Sequence, residues 1–334
     1  MPLSKRVFVV GGTGFLGYHA IQEFRNKGWG VTALGLPPAP SADPSAVASG
    51  QALYPATVKV VLQNLDDASD KELLSILDGH TALVFAAGLD DRVTPKKPAY
   101  PKFHHANVET PLRLFQLAAR AGVKRAVVLG SYFTHFNRLW PKLKLAERHP
   151  YIRSRVEQEQ ALTSVPGLQT CVLELPYIFG TLPIIGWKPL WAPLIKYIRS
   201  SKILFYMKGG TACVSAQTAG RAIVAAIEHG EAGQCYSIGQ ENLTWPQMLA
   251  RLAAADERKV RVVTLPTWVV QLGMFGVLLS HKLQGKEGGL DLRYFAPLQT
   301  AETFLDPTLS QKALGYEPGS LDEAFQATVE ACKS

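Results

Sequence analysis

The chain has 334 residues, 47% of them hydrophobic and 19% charged, with a formal net charge of +8. This is the composition of an ordinary globular protein, long enough to bury a substantial core in one large domain or in a domain with an appended lobe. The basic residues are scattered and form no recognition motif, which excludes nucleic acid as a partner, while the positive balance suits an anionic cofactor or a membrane surface.

The first element is the most informative. Arg6 to Gly17 reads Arg-Val-Phe-Val-Val-Gly-Gly-Thr-Gly-Phe-Leu-Gly, a buried-strand run that empties into a glycine turn and then a helix predicted from Phe15 to Lys27. A pyrophosphate can be received by the first amides of a helix when no Cβ blocks its approach and the chain turns sharply out of the strand. Gly11 is expected to make the turn, Gly14 to admit the phosphates and Gly17 to let helix and strand pack closely. Gly12 also satisfies a GxG reading. Thr13, Phe15 and Leu16 complete this candidate cofactor turn.

Strand-like and helical runs then alternate, which predicts an α/β fold of the Rossmann type, a doubly wound parallel sheet with a smaller C-terminal lobe. Predicted strands follow at Gly30–Leu34, Val58–Leu62, Ala82–Ala86, Ala126–Leu129 and Thr170–Leu175, with helices near Lys71–Leu77, Phe103–Ala121 and Pro150–Leu162. The loop Leu36–Ala56 carries Pro37, Pro38, Pro40, Pro44 and Pro55 and is too proline-broken for a core element. Residues 1–180 are assigned to the dinucleotide-binding domain. Residues 181–334 are assigned to a substrate lobe with some segments returning to the sheet, and a ligand cleft is expected between the two. Helices are predicted near Ala216–Glu228, Trp245–Ala254 and Leu321–Ala331. The run Trp268–Ser280 is too short to span a bilayer and reads as a buried or interfacial helix. The first strand begins almost at once, so export is not expected. Cys171, Cys213, Cys235 and Cys332 have no metal-like spacing and suit free thiols in a reducing, cytoplasmic compartment.

A second constellation is His149-Pro150-Tyr151-Ile152-Arg153-Ser154-Arg155. Tyr151 and Arg155 are four apart and share a helix face, where a fixed cation favours the ionised phenol and makes it a better proton donor and acceptor. On their own these two residues read first as a surface pair; the preceding glycine turn and strands give them a place in a site.

With these residues in order, the chain resembles the extended short-chain dehydrogenase/reductase family over nearly its full length. The glycine turn is similar to the family's GxxGxxG. Asn64-Leu65-Asp66 resembles the segment that meets adenine, with Asn64 where Asp is common. Phe85-Ala86-Ala87-Gly88 resembles the segment lining the cofactor after the fourth strand, and Asn107-Val108 with Ala118–Arg125 resembles the helix and turn before the fifth. Leu175-Pro176-Tyr177-Ile178-Phe179-Gly180 resembles the segment beside nicotinamide, while Phe304-Leu305-Asp306 and Ala313–Tyr316 resemble the C-terminal end.

The resemblance implies NAD or NADP, a Tyr as general acid or base, a basic partner four residues on, and a Ser or Thr at the end of the fifth strand. It therefore implies Tyr151, Arg155 and Ser131 as catalytic residues. It also implies contacts to the cofactor from Asn64, Leu65, Ala86, Ala87, Gly88, Asn107, Tyr151, Arg155, Pro176 and Ile178, and a homodimer through the Tyr151 helix. Arg155 stands where Lys is usual, and Arg does not easily pass on a proton. Tyr132 aligns with the expected hydroxyl residue, so Ser131, Tyr132 and Thr134 all remain open for that role. Val31–Leu36 offers neither the acid that selects NAD nor an Arg for a 2′-phosphate; the missing acid tilts the expectation to NADP.

Other residues have plainer readings. His104-His105 point apart on a helix and no second cluster supplies ligands, so no metal is expected. Asp90-Asp91 reads as a solvated loop. Trp187, Trp191 and the Trp268 helix are packing or pocket. The apolar segment Gly186–Ile195 and the helix Trp268–Leu279 suit a hydrophobic alcohol or ketone, nearest in character to 3β-hydroxysteroid dehydrogenases and dihydroflavonol reductases. That helix, with Lys282 and Lys286 beyond it, also suits a membrane surface. The alternatives are a nucleotide-sugar epimerase or dehydratase, for which Lys188, Lys196, Arg199, Arg221 and Arg293 could meet a diphosphate, and a dinucleotide sensor without turnover.

Overall fold

The computed structural model describes residues 5–37, 53–184 and 187–333. Pro38, Pro40 and Pro44 of the proline-rich loop, and Gly186 of the apolar segment, lie outside the described residues.

The predicted strands are β1 (Arg6–Val10), β2 (Gly30–Gly35), β3 (Val58–Leu62), β4 (Ala82–Phe85), β5 (Arg125–Ser131) and β6 (Gln169–Leu175). The chain continues with β7 (Tyr177–Phe179), β8 (Ile203–Met207), β9 (Gly210–Ser215), β10 (Cys235–Ser237), β11 (Glu241–Thr244), β12 (Arg261–Leu265) and β13 (Glu302–Thr303). Seven of these form one parallel sheet in the order β10-β6-β5-β4-β1-β2-β3. The strand order reverses between β1 and β4, which opens a crevice at the carboxyl ends of the strands.

The helices are α1 (Phe15–Asn26), α2 (Asp70–Leu77), α3 (Tyr100–His104), α4 (Thr110–Arg120), α5 (Tyr132–Leu139), α6 (Leu145–Arg148) and α7 (Pro150–Thr163). They continue as α8 (Ala192–Ser200), α9 (Ala216–His229), α10 (Trp245–Ala255), α11 (Thr267–Leu283), α12 (Leu292–Gln299), α13 (Thr308–Leu314) and α14 (Leu321–Glu330). Both faces of the sheet are covered, which is why β1 reads as an unbroken apolar run. Val7 and Val9 pack with Ile21 and Phe24 of α1 and Ile223 of α9, whereas Phe8 and Val10 pack with Leu73, Leu77 and Phe115. A separate core gathers Phe179, Trp245, Leu249 and Phe325 around β7, α10 and α14. Among the described residues no helix is long and apolar enough to cross a membrane. All four cysteines are free.

Two expectations need correction. The helix predicted as continuous from Phe103 to Ala121 is interrupted by a π-helical turn at His105–Glu109. Pro111 has no N–H to give the Asn107 carbonyl one turn back, and that carbonyl instead accepts from Gln158 Nε2 at 2.6 Å. The Trp268 helix, expected to be buried or interfacial, has no buried residue, which removes the buried alternative and leaves the interfacial one.

Helix α9 lies directly on α1, and Gly220 is where they meet: a Cβ there would stand 2.8 Å from the backbone of His19. Gly220→Ala is therefore expected to destabilise the protein by about 1–3 kcal/mol, because backbone cannot yield as a side chain does. Thermal unfolding checks this; a variant as stable as the parent would mean the two helices separate freely.

Candidate active site

The glycine turn is built for close approach. Gly11 adopts φ 75°, and a Cβ on it would stand 2.7 Å from the Ala86 carbonyl oxygen, so the end of β1 lies directly against the end of β4. A Cβ on Gly17 would overlap the Gly11 carbonyl oxygen. Gly14 is the N-cap of α1 and no side chain caps the helix. Its first amides have no partner within the helix and face the position where an anion is best accommodated. Gly12 sits against Ala33 of β2, so the ambiguous GxG reading resolves with Gly11 as the turn residue. The Tyr54 hydroxyl donates to the Gly12 carbonyl and its ring stacks on Tyr18, a brace from the end of the proline-rich loop.

At the carboxyl ends of β4, β5 and β6 lies a cleft of about 420 Å³. Phe15, Leu16, Ala86, Ala87, Gly88, Ser131, Tyr151, Arg155, Pro176 and Ile178 all line it, joined by Leu129, Phe133, Leu175, Tyr177, Leu190 and Trp191. Trp191 stacks on Phe179 and donates from Nε1 to the Ile178 carbonyl at 2.7 Å, so it both packs and forms wall. Trp187 packs against Phe15.

Tyr151 is placed by the start of α7. Its backbone N–H, one of the orphan donors of a helix N-terminus, donates to the Gly289 carbonyl at 2.9 Å. Its hydroxyl has no hydrogen-bond partner among the described residues. The Arg155 guanidinium lies 5.2 Å from the centre of the Tyr151 ring. It donates from Nη1 to Gln158 Oε1 at 2.8 Å and to the Leu129 carbonyl at 3.3 Å, and from Nη2 to the Leu89 carbonyl at 3.3 Å. Its Nε is buried and unpartnered among the described residues.

The three candidate hydroxyls separate cleanly. Tyr132 also lines the cleft, but its hydroxyl is engaged 3.1 Å from Thr211 Oγ1, and burial raises its pKa well above that of a free phenol. Thr134 is fully buried. Its hydroxyl contacts the Ser131 carbonyl and Glu174 at 2.8 Å, as well as Glu159. Ser131 caps α5, accepting from the Phe133 N–H at 3.3 Å, and stands on the cleft wall.

Asn107, Asn64 and Leu65 stand elsewhere. The Asn107 side chain is fully buried and committed: it accepts from Leu89 N at 2.9 Å and donates to the Leu89 carbonyl and to Ser154, both at 3.1 Å. It pins the loop after β4 from behind. Asn64 closes a local turn with Asp66 and Asp67, and Leu65 points into the core.

Asp90 and Asp91, expected in a solvated loop, line the cleft with Arg92. Asp90 is paired with Arg92 at 2.5 Å. Desolvation pushes the Asp91 carboxyl above the usual carboxylate range, against the pull of Arg92 and Arg155. Long-range bonds from Asn107 and Arg155 to Leu89 hold this loop at the cleft, which loop composition alone does not reveal.

Behind Ser131, Glu159 and Glu174 approach Cys235 with metal-like spacing. The cluster already contains a cation, since Arg138 pairs with both carboxylates. Burial, then the neighbouring Glu174 charge, pushes Glu159 up to about 7. His104 pairs with Glu157 and His105 with Asp66, and both also approach Glu109. The folded state thus holds the Glu159 proton beyond the pH at which an unfolded Glu releases it. Its contribution is fully present below the ordinary carboxylate pKa and is lost as pH rises towards 7. Glu159→Gln, which mimics the protonated form, should gain thermal stability relative to the parent at about pH 8 and lose that advantage at about pH 5. Melting curves across this range test it; an offset independent of pH would rule it out.

Fold and cleft together define a dinucleotide-binding protein of the Rossmann class. The sequence model of the NAD dependent epimerase/dehydratase family matches residues 7–239, and the chain belongs to that family. Similar solved structures include gox2253, with a TM-score of 0.76 at 19% identity over 98% of each chain. A nucleoside-diphosphate-sugar epimerase from Pseudomonas aeruginosa has a TM-score of 0.71 at 18% identity, over 98% of this chain and 97% of that one. UDP-glucuronic acid 4-epimerase from Bacillus cereus, in complex with UDP-glucuronic acid and NAD, has a TM-score of 0.69 at 14% identity, over 98% and 99%. At these identities the likeness is one of fold. No curated protein sequence matches the chain.

Proposed function

We propose that the chain is an NAD(P)-dependent oxidoreductase for a hydrophobic alcohol or ketone. The observation that carries this reading is the cleft wall, in which Phe133, Leu175, Tyr177, Leu190 and Trp191 surround Tyr151 and Ser131. Of the cations at the cleft, Arg155 is held by backbone carbonyls and Gln158 and Arg92 is paired with Asp90, and the other candidates for a nucleoside diphosphate stand outside it. Arg199 binds Asp256, Arg221 pairs with Glu23 and Arg293 with Asp291, and neither Lys188 nor Lys196 lines the cleft.

The Gly11–Gly17 turn fits a pyrophosphate, and Ala86, Ala87, Gly88, Pro176 and Ile178 would flank the rest of a dinucleotide. Bound nicotinamide supplies or accepts the hydride. Tyr151 exchanges a proton between its phenolic oxygen and the substrate oxygen, Ser131 orients that oxygen, and Arg155 holds Tyr151 and the ends of β4 and β5 in place. The apolar walls exclude water from the reacting carbon.

Tyr151→Phe should lower turnover by about 10²–10⁴-fold while leaving the dissociation constant for the reduced cofactor unchanged. Absorbance of the reduced cofactor, followed across a panel of apolar ketones and secondary alcohols, reads both the activity and the variant. Unchanged kinetics in the variant would end the assignment of Tyr151. Thermal shift with UDP-sugars and none with ketones would favour an epimerase or dehydratase, and tight cofactor binding without turnover of any substrate a sensor. On the cofactor itself, the run Val31–Leu36 presents no acid to a 2′-phosphate. NADPH should therefore bind more tightly than NADH; a weaker dissociation constant for NADPH would overturn that preference.

A further inference from the structure

Helix α11 inverts the usual amphipathic pattern. Its half-buried side carries Val270, Met274, Leu278 and His281. Its outward side carries a stripe of Trp268, Leu272, Phe275, Leu279 and Leu283, of which Trp268 is 68%, Leu272 66%, Phe275 62% and Leu283 81% exposed. The spacing of four, three, four and four residues keeps all five on one line of the helix. A helix facing water places its charges there, and this one places its largest apolar side chains.

The stripe ends in cations. Lys282 closes the helix, and an isolated antiparallel bridge between Lys96 and Lys286 brings Lys96 and Lys97 alongside. None of these four lysines has an ion-pair partner among the described residues. Lys97, Lys282 and Lys286 rim a pocket of about 400 Å³ whose apolar wall includes Phe275, Leu279 and Leu290. The two acids of that pocket are already engaged, Glu287 by the Ala99 N–H at 2.6 Å and Asp291 by Arg293. An apolar ridge bordered by unpaired lysines is complementary to acyl chains bordered by phosphate.

We propose that α11 lies in the interface of an anionic phospholipid bilayer, with the stripe among the upper acyl chains and the lysine pocket receiving a lipid phosphate. This goes beyond the proposed oxidoreductase and does not depend on it, since binding is read without turnover. The segment that follows α11 reaches the active site: the Gly289 carbonyl accepts from Tyr151 N, and Asp291 N donates to His149 Nδ1 at 2.9 Å. A membrane-seated α11 would bring the cleft to where hydrophobic alcohols and ketones concentrate.

Flotation of the full chain with vesicles of phosphatidylcholine, alone or mixed with phosphatidylglycerol, tests this. The protein should float with the mixed vesicles, remain behind with the neutral ones, and be released by raised salt. Paired exposed substitutions Phe275→Ser with Leu279→Ser should abolish flotation at an unchanged thermal midpoint. Lys282→Glu with Lys286→Glu should weaken partitioning at least about tenfold. Absence of flotation, equal flotation with both kinds of vesicle, or a dimer in sedimentation that the serine pair dissolves would each overturn the proposal, the last by assigning the stripe to a second copy of the chain.

Discussion

Burying a guanidinium costs less the more of its donors are answered, and although Arg155 Nε has no partner among the described residues, the two terminal nitrogens find acceptors at two strands at once. Its Nη1 reaches the carbonyl beyond the middle of β5, its Nη2 the carbonyl of Leu89 after β4, and Gln158 takes a further hydrogen from its own helix. One side chain thereby fixes α7 to the sheet at the level of the cleft. The position of Tyr151, four residues earlier on the same face, follows from that attachment. This also gives a physical sense to Arg where Lys is usual in the family: an ammonium could carry the charge, but not the planar fork that joins β5 to the loop after β4.

Leu89 is the second half of the same device. Its N–H and carbonyl are both engaged by the buried Asn107 amide, so the loop is held from behind while Arg155 holds it from the side. Asn107 can do this because it lies in the widened turn before Pro111. The carbonyl that the proline leaves free is taken by Gln158, the same residue that steadies Arg155. Removal of any one of these groups leaves a buried polar partner unanswered, which is why the network behaves as a unit.

The sheet, the glycine turn and the pairing of Tyr151 with Arg155 were legible because each rests on local pattern: apolar runs of strand length, glycines at fixed spacing, a tyrosine and a cation one helical turn apart. What escaped was long-range. Asp91 reads as a loop acid until Asn107 and Arg155 draw its loop into the cleft. Asn107 carries no mark of its supporting role, because its partners lie 18 and 47 residues away in the chain. The choice among Ser131, Tyr132 and Thr134 needed the partners of each hydroxyl, which come from β9, β13, β6 and α7. The outward stripe of α11 was visible as an apolar run, but an apolar run does not say which side of a helix meets the protein.

The Thr134 hydroxyl shows how the rear of the site is set. Its single proton faces three acceptors, the Ser131 carbonyl, Glu174 and Glu159, and it can donate to only one of them. A proton retained on Glu159 answers the conflict by turning one acceptor into a donor, in keeping with its raised pKa. Arg138, half exposed, offsets part of the remaining charge on the pair. The backbone of Ser131 is thus anchored to a carboxyl pair whose protonation is set by burial, while its side chain remains on the cleft. Ser131 thus owes its place on the cleft wall to groups that do not line the cleft.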